Sequence, residues 1–147
     1  MSKQYLSKKI REFIAQRAYF RCEYCQSRAD CACESFEAEH IIPQSQGGSS
    51  RPDNLAFTCR GCNSRKSDRT TALDPLSLQL EPLFNPRMDL WTEHFAWDDA
   101  FTHVIGLSPT GRATVNALQL NRQGLVNLRK LMILGGIHPP ILSDQNH

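Results

Sequence analysis

The segment from Cys22 to Asn63 decides the fold. It reads Cys22-Glu23-Tyr24-Cys25, then Glu39-His40-Ile41-Ile42-Pro43, then Cys59-Arg60-Gly61-Cys62-Asn63. Two Cys-x-x-Cys pairs bracket an acid–histidine pair, and an asparagine follows the last cysteine directly. A two-residue gap lets one tight turn present two sulfurs, and two such turns complete the tetrahedral shell of one zinc ion. Cys22, Cys25, Cys59 and Cys62 are therefore expected to hold a structural zinc. A site closed by four thiolates has no open position for chemistry, and its metal contributes directly to folding. The 33 residues between Cys25 and Cys59 exceed a zinc-ribbon gap. The excess carries His40 and Asn54 and reads as an active-site insert between two zinc knuckles. Cys31 and Cys33 are read as ordinary loop thiols.

Bulk composition agrees with one ordinary domain or a small domain with an elaboration: 147 residues, 40% hydrophobic and 22% charged. No apolar run approaches the roughly 18 residues of a membrane helix. Met1-Ser2-Lys3-Gln4-Tyr5 lacks the apolar core of a secretory leader, so a cytoplasmic location is expected. Six cysteines in such a chain point to metal rather than disulfides. The net charge of +2 is unevenly placed: residues 1–72 hold 12 Lys/Arg against 8 Asp/Glu, and residues 73–147 hold 5 against 7. The basic half is the half with the metal-spaced cysteines.

Ser7 can cap a helix over about 8–18, with Ile10, Phe13, Ile14 and Ala18 at helical spacing. Residues 35–41 and 55–58 read as strands, separated by a polar loop containing Gly47-Gly48 and Pro52-Asp53-Asn54. A helix over Cys62 to about Arg69 carries Arg65, Lys66 and Arg69. The expected fold class is α+β. Residues 1–72 form an N-terminal helix and a zinc-stapled core. Residues 73–147 form a mostly helical C-terminal extension packed on it, with an aromatic-rich segment at Trp91, Phe95, Trp97 and Phe101. In that extension the pattern predicts a strand at 103–107, a helix over 109–119 capped by Ser108, and a helix over 122–134 capped by Asn121. The last carries Leu125, Leu128, Leu131 and Met132 along one face. His94 and His103 read as structural or surface residues, and Trp91, Phe95 and Trp97 as core.

The residues around His40 fit phosphodiester hydrolysis. Histidine is the side chain whose ordinary pKa suits taking a proton from water near neutrality. A hard divalent ion that stabilises charge at phosphorus needs only one or two protein oxygens, which Glu39 and Asn63 can supply. Asn54, 14 residues beyond His40, can tie the loop back to the strand. Adjacent strand residues point to opposite faces, so Glu39 and His40 can serve one site only where the strand ends or twists.

The run Cys22-Glu-Tyr-Cys25, Glu39-His40-Ile-Ile-Pro43, Gly47-Gly48, Asp53-Asn54-Leu55 and Cys59-Arg-Gly-Cys62-Asn63-Ser-Arg-Lys66 resembles the HNH endonuclease family. The resemblance covers about residues 20–70. It implies a ββα-metal (His-Me finger) core and a hydrolase that cleaves nucleic acid with a divalent ion. By similarity, His40 is the general base, Glu39 and Asn63 are ligands of magnesium or manganese, and Asn54 orients the loop. Asn63 replaces the usual third-position histidine, an H-N-N variant that favours an oxygen-liking ion. Arg65, Lys66 and Arg69 are expected to hold phosphates of DNA, most simply double-stranded. No membrane partner is expected, and monomer and homodimer both stay open. The alternative is a non-catalytic, zinc-stapled nucleic-acid-binding module.

Overall fold

The computed structural model describes residues 6–141. Met1–Tyr5, read above for a leader, lie outside them. Helix α1 spans Lys8–Arg17, and the Ser7 hydroxyl accepts from the Ile10 amide at 3.2 Å. The helix buries Ile14, and it stops where Ala18 is followed by Tyr19 and Phe20, both at positive φ. Arg17, in its last turn, donates to the carbonyls of Pro52 at 3.0 Å and Leu55 at 2.7 Å.

Those carbonyls belong to the start of an antiparallel hairpin of β1 (Glu37–His40) and β2 (Leu55–Thr58), paired Glu37 with Thr58 through His40 with Leu55. Its two faces are divided by strand alternation. Ala38, Leu55 and Phe57 pack with Ile14 and Ala18 of α1 in one apolar cluster. Glu37, Glu39 and Ala56 face the other way, toward α2 (Arg60–Lys66) and the cysteines. Helix α2 starts earlier than expected and ends before Arg69. Cys59 is its N-cap, with Sγ accepting from the Cys62 amide, and Ser67 at φ 53° stops it. The result is the expected α+β core: strand, loop, strand, helix, with the four cysteines grouped together.

The C-terminal region is less helical than its sequence suggests. Residues 71–82, which carry Pro75 and Pro82, form a hairpin of β3 (Thr71–Leu73) and β4 (Leu80–Pro82), whose turn carries the buried Asp74. Arg112 clamps that carboxylate through Nε at 3.0 Å and Nη2 at 2.9 Å. After the short helix α3 (Trp91–His94), β5 (Phe95–Trp97) pairs with β6 (Val104–Gly106), and α4 (Pro109–Leu118) and α5 (Gln123–Leu134) follow. Asn121 does not cap α5; Arg122 occupies that position. Asn121 instead brackets β6, accepting from the Val104 amide at 2.7 Å and donating to its carbonyl at 2.9 Å. The buried stripe of α5 is Leu125, Val126, Arg129 and Met132, whereas Leu131 is exposed. Arg129 is buried because carbonyls of Thr102 and Leu120 accept from it at 2.9 and 2.7 Å.

Trp91 and Phe95 are buried in the core, as expected, and Trp97 is partly buried against them, whereas Phe101 is exposed. Phe84, Trp91, Phe95 and Trp97 stack with neighbouring centroids 5.1–5.3 Å apart. The Trp91 indole N–H reaches the Tyr24 carbonyl at 3.0 Å, inside the first knuckle. One apolar cluster therefore joins the four cysteines to Trp91, Phe95, Leu118, Leu120 and Leu125.

The Arg112 guanidinium holds the Asp74 carboxyl well below the usual carboxylate range. Stability from a depressed carboxylate is present above its unfolded pKa and lost as pH falls through the folded one. Asp74→Asn is expected to lower the melting midpoint at neutral pH. It should also remove part of the stability that the wild type loses below about pH 4. A variant whose melts keep the full acid slope would contradict this.

Candidate active site and metal cage

The cage consists of two equivalent turns. The Cys25 amide donates to Cys22 Sγ at 3.5 Å, and the Cys62 amide to Cys59 Sγ at 3.4 Å. The four sulfurs all lie within 4.8 Å of one another, and all four residues are buried. Cys25 and Cys59 Sγ are 3.7 Å apart. That is far beyond a disulfide bond and close to the roughly 3.8 Å edge of a tetrahedron with zinc–sulfur bonds of about 2.3 Å. Hydrogen bonds from Cys22, Cys25 and Cys62 hold the Cys59 thiol well below its usual pKa, while burial pushes Cys22 up. Four buried soft donors with this spacing fit structural zinc. Cys31 and Cys33 are exposed and take no part.

Beyond the cage, His40 closes β1. Its Nε2 lies 2.9 Å from Ser50 Oγ, in the loop that returns to β2. Asn54 locks the same loop: Oδ1 accepts from the Ile42 amide at 2.9 Å, while Nδ2 donates to the carbonyls of Ile42 at 3.0 Å and Ser49 at 2.8 Å. The backbone must come very close here. A Cβ on Gly48 would sit 1.7 Å from the Ile42 carbonyl oxygen, so only glycine fits.

Glu39 and His40 lie on opposite faces of the hairpin, as alternation requires. Both nevertheless border one cleft of about 760 Å³, because the cleft runs along the edge of β1 and is lined by Glu37, Ala38, Glu39 and His40 alike. Glu37 and Asn63 line the same cleft, and the Asn63 amide donates to the Glu37 carboxylate. Residues 22–69 match the HNH endonuclease family model. No curated protein and no solved structure matches the chain. The HNH match begins at the first cage cysteine and ends just beyond α2, leaving α1 and the C-terminal region outside.

Within this HNH segment, Lys66 is a correction to the sequence reading. It is fully buried rather than displayed for phosphates, with Nζ 2.7 Å from Glu39 Oε1 and 3.0 Å from the Ile41 carbonyl. Residues 60–66 form one helix whose inner face carries Cys62, Asn63 and Lys66, and the spacing turns Lys66 inward. Arg65 folds back on the Gly61 carbonyl at 3.2 Å. Arg69 is exposed and donates to the carbonyls of Arg65 and, at 3.2 Å, Ala117 of α4. Of the three, Lys66 is removed from the surface, and none lines the cleft. His94 meets Ser108 Oγ at 2.6 Å, and His103 pairs with Asp98; both lie away from the cleft.

Burial pushes the Glu39 carboxyl up to about 7, against the pull of Lys66. Its Oε2 is buried and accepts no hydrogen bond among the described residues. Glu39 and the Asn63 amide border the same cleft, and oxygen donors of this kind fit a hard divalent ion. Sequence reading did not find Glu37 and Ser50 as neighbours of the site. Glu37 carried the available signal, since it shares Glu39's strand face two residues away.

Two outcomes follow for this region. Cys62→Ser is expected to purify with less than one equivalent of zinc and to lose the cooperative melt, as metal analysis and calorimetry would show. In Lys66→Met the Glu39 charge is left buried and unpaired, which costs about 3–5 kcal/mol of stability near pH 8. A raised folded pKa means the native state binds the extra proton between about pH 4.5 and 7, so that loss shrinks as pH falls. Denaturant curves showing a pH-independent loss would overturn the pairing.

Proposed function

We propose that this chain is a metal-dependent endonuclease that hydrolyses phosphodiester bonds in DNA, taking double-stranded DNA as its partner in the cytoplasm. The observation that carries this reading is the convergence of His40, Glu39 and Asn63 on one cleft, with the intervening loop locked by Asn54. His40 takes a proton from water, and the resulting hydroxide attacks phosphorus. Ser50, at 2.9 Å from Nε2, orients the imidazole. Glu39, through its unpaired Oε2, and the Asn63 amide oxygen would hold magnesium or manganese. When bound, that ion stabilises charge on the phosphorus oxygens and on the departing 3′ oxygen. Arg65 on α2 and the exposed Arg69 just beyond it supply phosphate contacts that carry no sequence information. The zinc cage fixes Asn63, one residue beyond Cys62.

One observation favours the second reading, a non-catalytic nucleic-acid-binding module. Lys66 already gives Glu39 a cation. A plasmid-nicking assay separates the two. With magnesium or manganese the wild type is expected to relax supercoiled plasmid, and His40→Ala to lose about 10²–10⁴-fold in rate while still binding DNA. DNA retention that weakens with salt, without nicking under either ion, would replace the enzyme with the binding module.

A further inference from the structure

Zinc with four thiolates carries a net charge of −2, and here it would sit in a buried cluster next to apolar side chains. Buried charge is expensive unless compensated. The C-terminal region brings compensation from 60 residues away in sequence. Arg122 Nη2 lies 3.5 Å from Cys59 Sγ and 3.7 Å from Cys62 Sγ, and Nη1 lies 3.7 Å from Cys62 Sγ. The same guanidinium is aimed from behind. Nη1 also donates to the last carbonyls of α4, Leu118 at 3.0 Å and Gln119 at 3.2 Å.

The knuckle is shaped to receive it. Gly61, between the two cysteines, leaves the approach open, since a Cβ there would lie 2.6 Å from Arg122 Nη2. A guanidinium presents several N–H groups in a fixed plane, so one arginine can reach two sulfurs and two carbonyls together. A lysine ammonium is a point charge without that reach.

We propose that Arg122 is a positioning residue of the zinc site: it neutralises the thiolates of Cys59 and Cys62 and couples retention of the metal to docking of α4 and α5 on the core. The C-terminal region thereby guards the cage on which Asn63 depends. The inference concerns the cage alone and stands whether the chain cuts DNA or only binds it.

The test uses the full chain loaded with zinc, and in parallel with cobalt(II), whose thiolate-to-metal charge-transfer bands report electron density on sulfur. Groups that orient metal ligands typically contribute about 10–100-fold to metal affinity. Arg122→Met is expected to surrender zinc to a chromophoric chelator about that much faster. Its cobalt bands should shift to lower energy, because an N–H donor no longer draws density from sulfur. Gly61→Ala, which keeps Arg122 but blocks its approach, is expected to shift the bands the same way, and Arg122→Lys to fall between. Leu125→Ala loosens the packing of α5 in the apolar cluster that includes the cage but keeps the guanidinium, so it is expected to shift the bands less than Arg122→Met. Should Arg122→Met fail to fold, Gly61→Ala and Arg122→Lys still decide the matter. Unmoved bands in the folded variants, an equal shift in Leu125→Ala, or a wild type that takes up no zinc would overturn the assignment.

Discussion

Everything near the cleft depends on holding two distant turns, Cys22–Cys25 and Cys59–Cys62, against each other. The strands between them are four residues each, too short to hold a stable hairpin without neighbours. The cage supplies a fixed point at one end, and the α1 cluster of Ile14, Ala18, Leu55 and Phe57 closes the other face. Because Cys59 is also the N-cap of α2, the cage sets the rotation of that helix. Asn63 and Lys66 point at β1 as a consequence, and the acidic face of the strand has partners waiting for it.

Strand alternation would normally separate an acid from the histidine beside it. The separation is present in the hairpin register, yet it does not divide the site, because the cleft runs along the edge of β1, where residues of both faces line it. Asn54 is the reason the loop after His40 can turn back so tightly. It satisfies both polar groups of Ile42 and a second carbonyl, that of Ser49, at once, with Gly48 making room. The Glu39–Lys66 pair then decides the state of the acid. Lysine lowers the cost of a buried carboxylate without removing it, leaving one oxygen unpartnered.

The C-terminal region is not an independent appendage. Trp91 reaches the Tyr24 carbonyl, Arg69 reaches Ala117, and Arg122 reaches the cage sulfurs. These contacts cross the boundary that composition and prolines suggest near residue 73. Residues 71–82 form a structured hairpin whose turn residue Asp74 makes a bidentate pair with Arg112 that no local pattern reveals.

Local chemistry determined much of this protein. Cys-x-x-Cys spacing placed the cage. Ser7 and Ser108 placed two helix starts, since both hydroxyls accept amides three residues on. The Glu-His pair with Asn54 and Asn63 marked the residues that line or lock the cleft. Each of these signals lies within a few residues or in a metal's fixed geometry. Other features needed partners far away in the chain. The apolar run at 103–107 marks β6, but β3, β4 and β5, three residues each, carry too short a period to be read and emerge only from their pairing. Asn121 looks like a helix cap but is claimed by the two backbone groups of Val104. Lys66 looks like a phosphate ligand until the cage turns α2 and buries it against Glu39. Arg122 carries no sequence signal at all. Tertiary structure alone decided these roles, because the free energy of a polar group depends on which partner the fold brings to it.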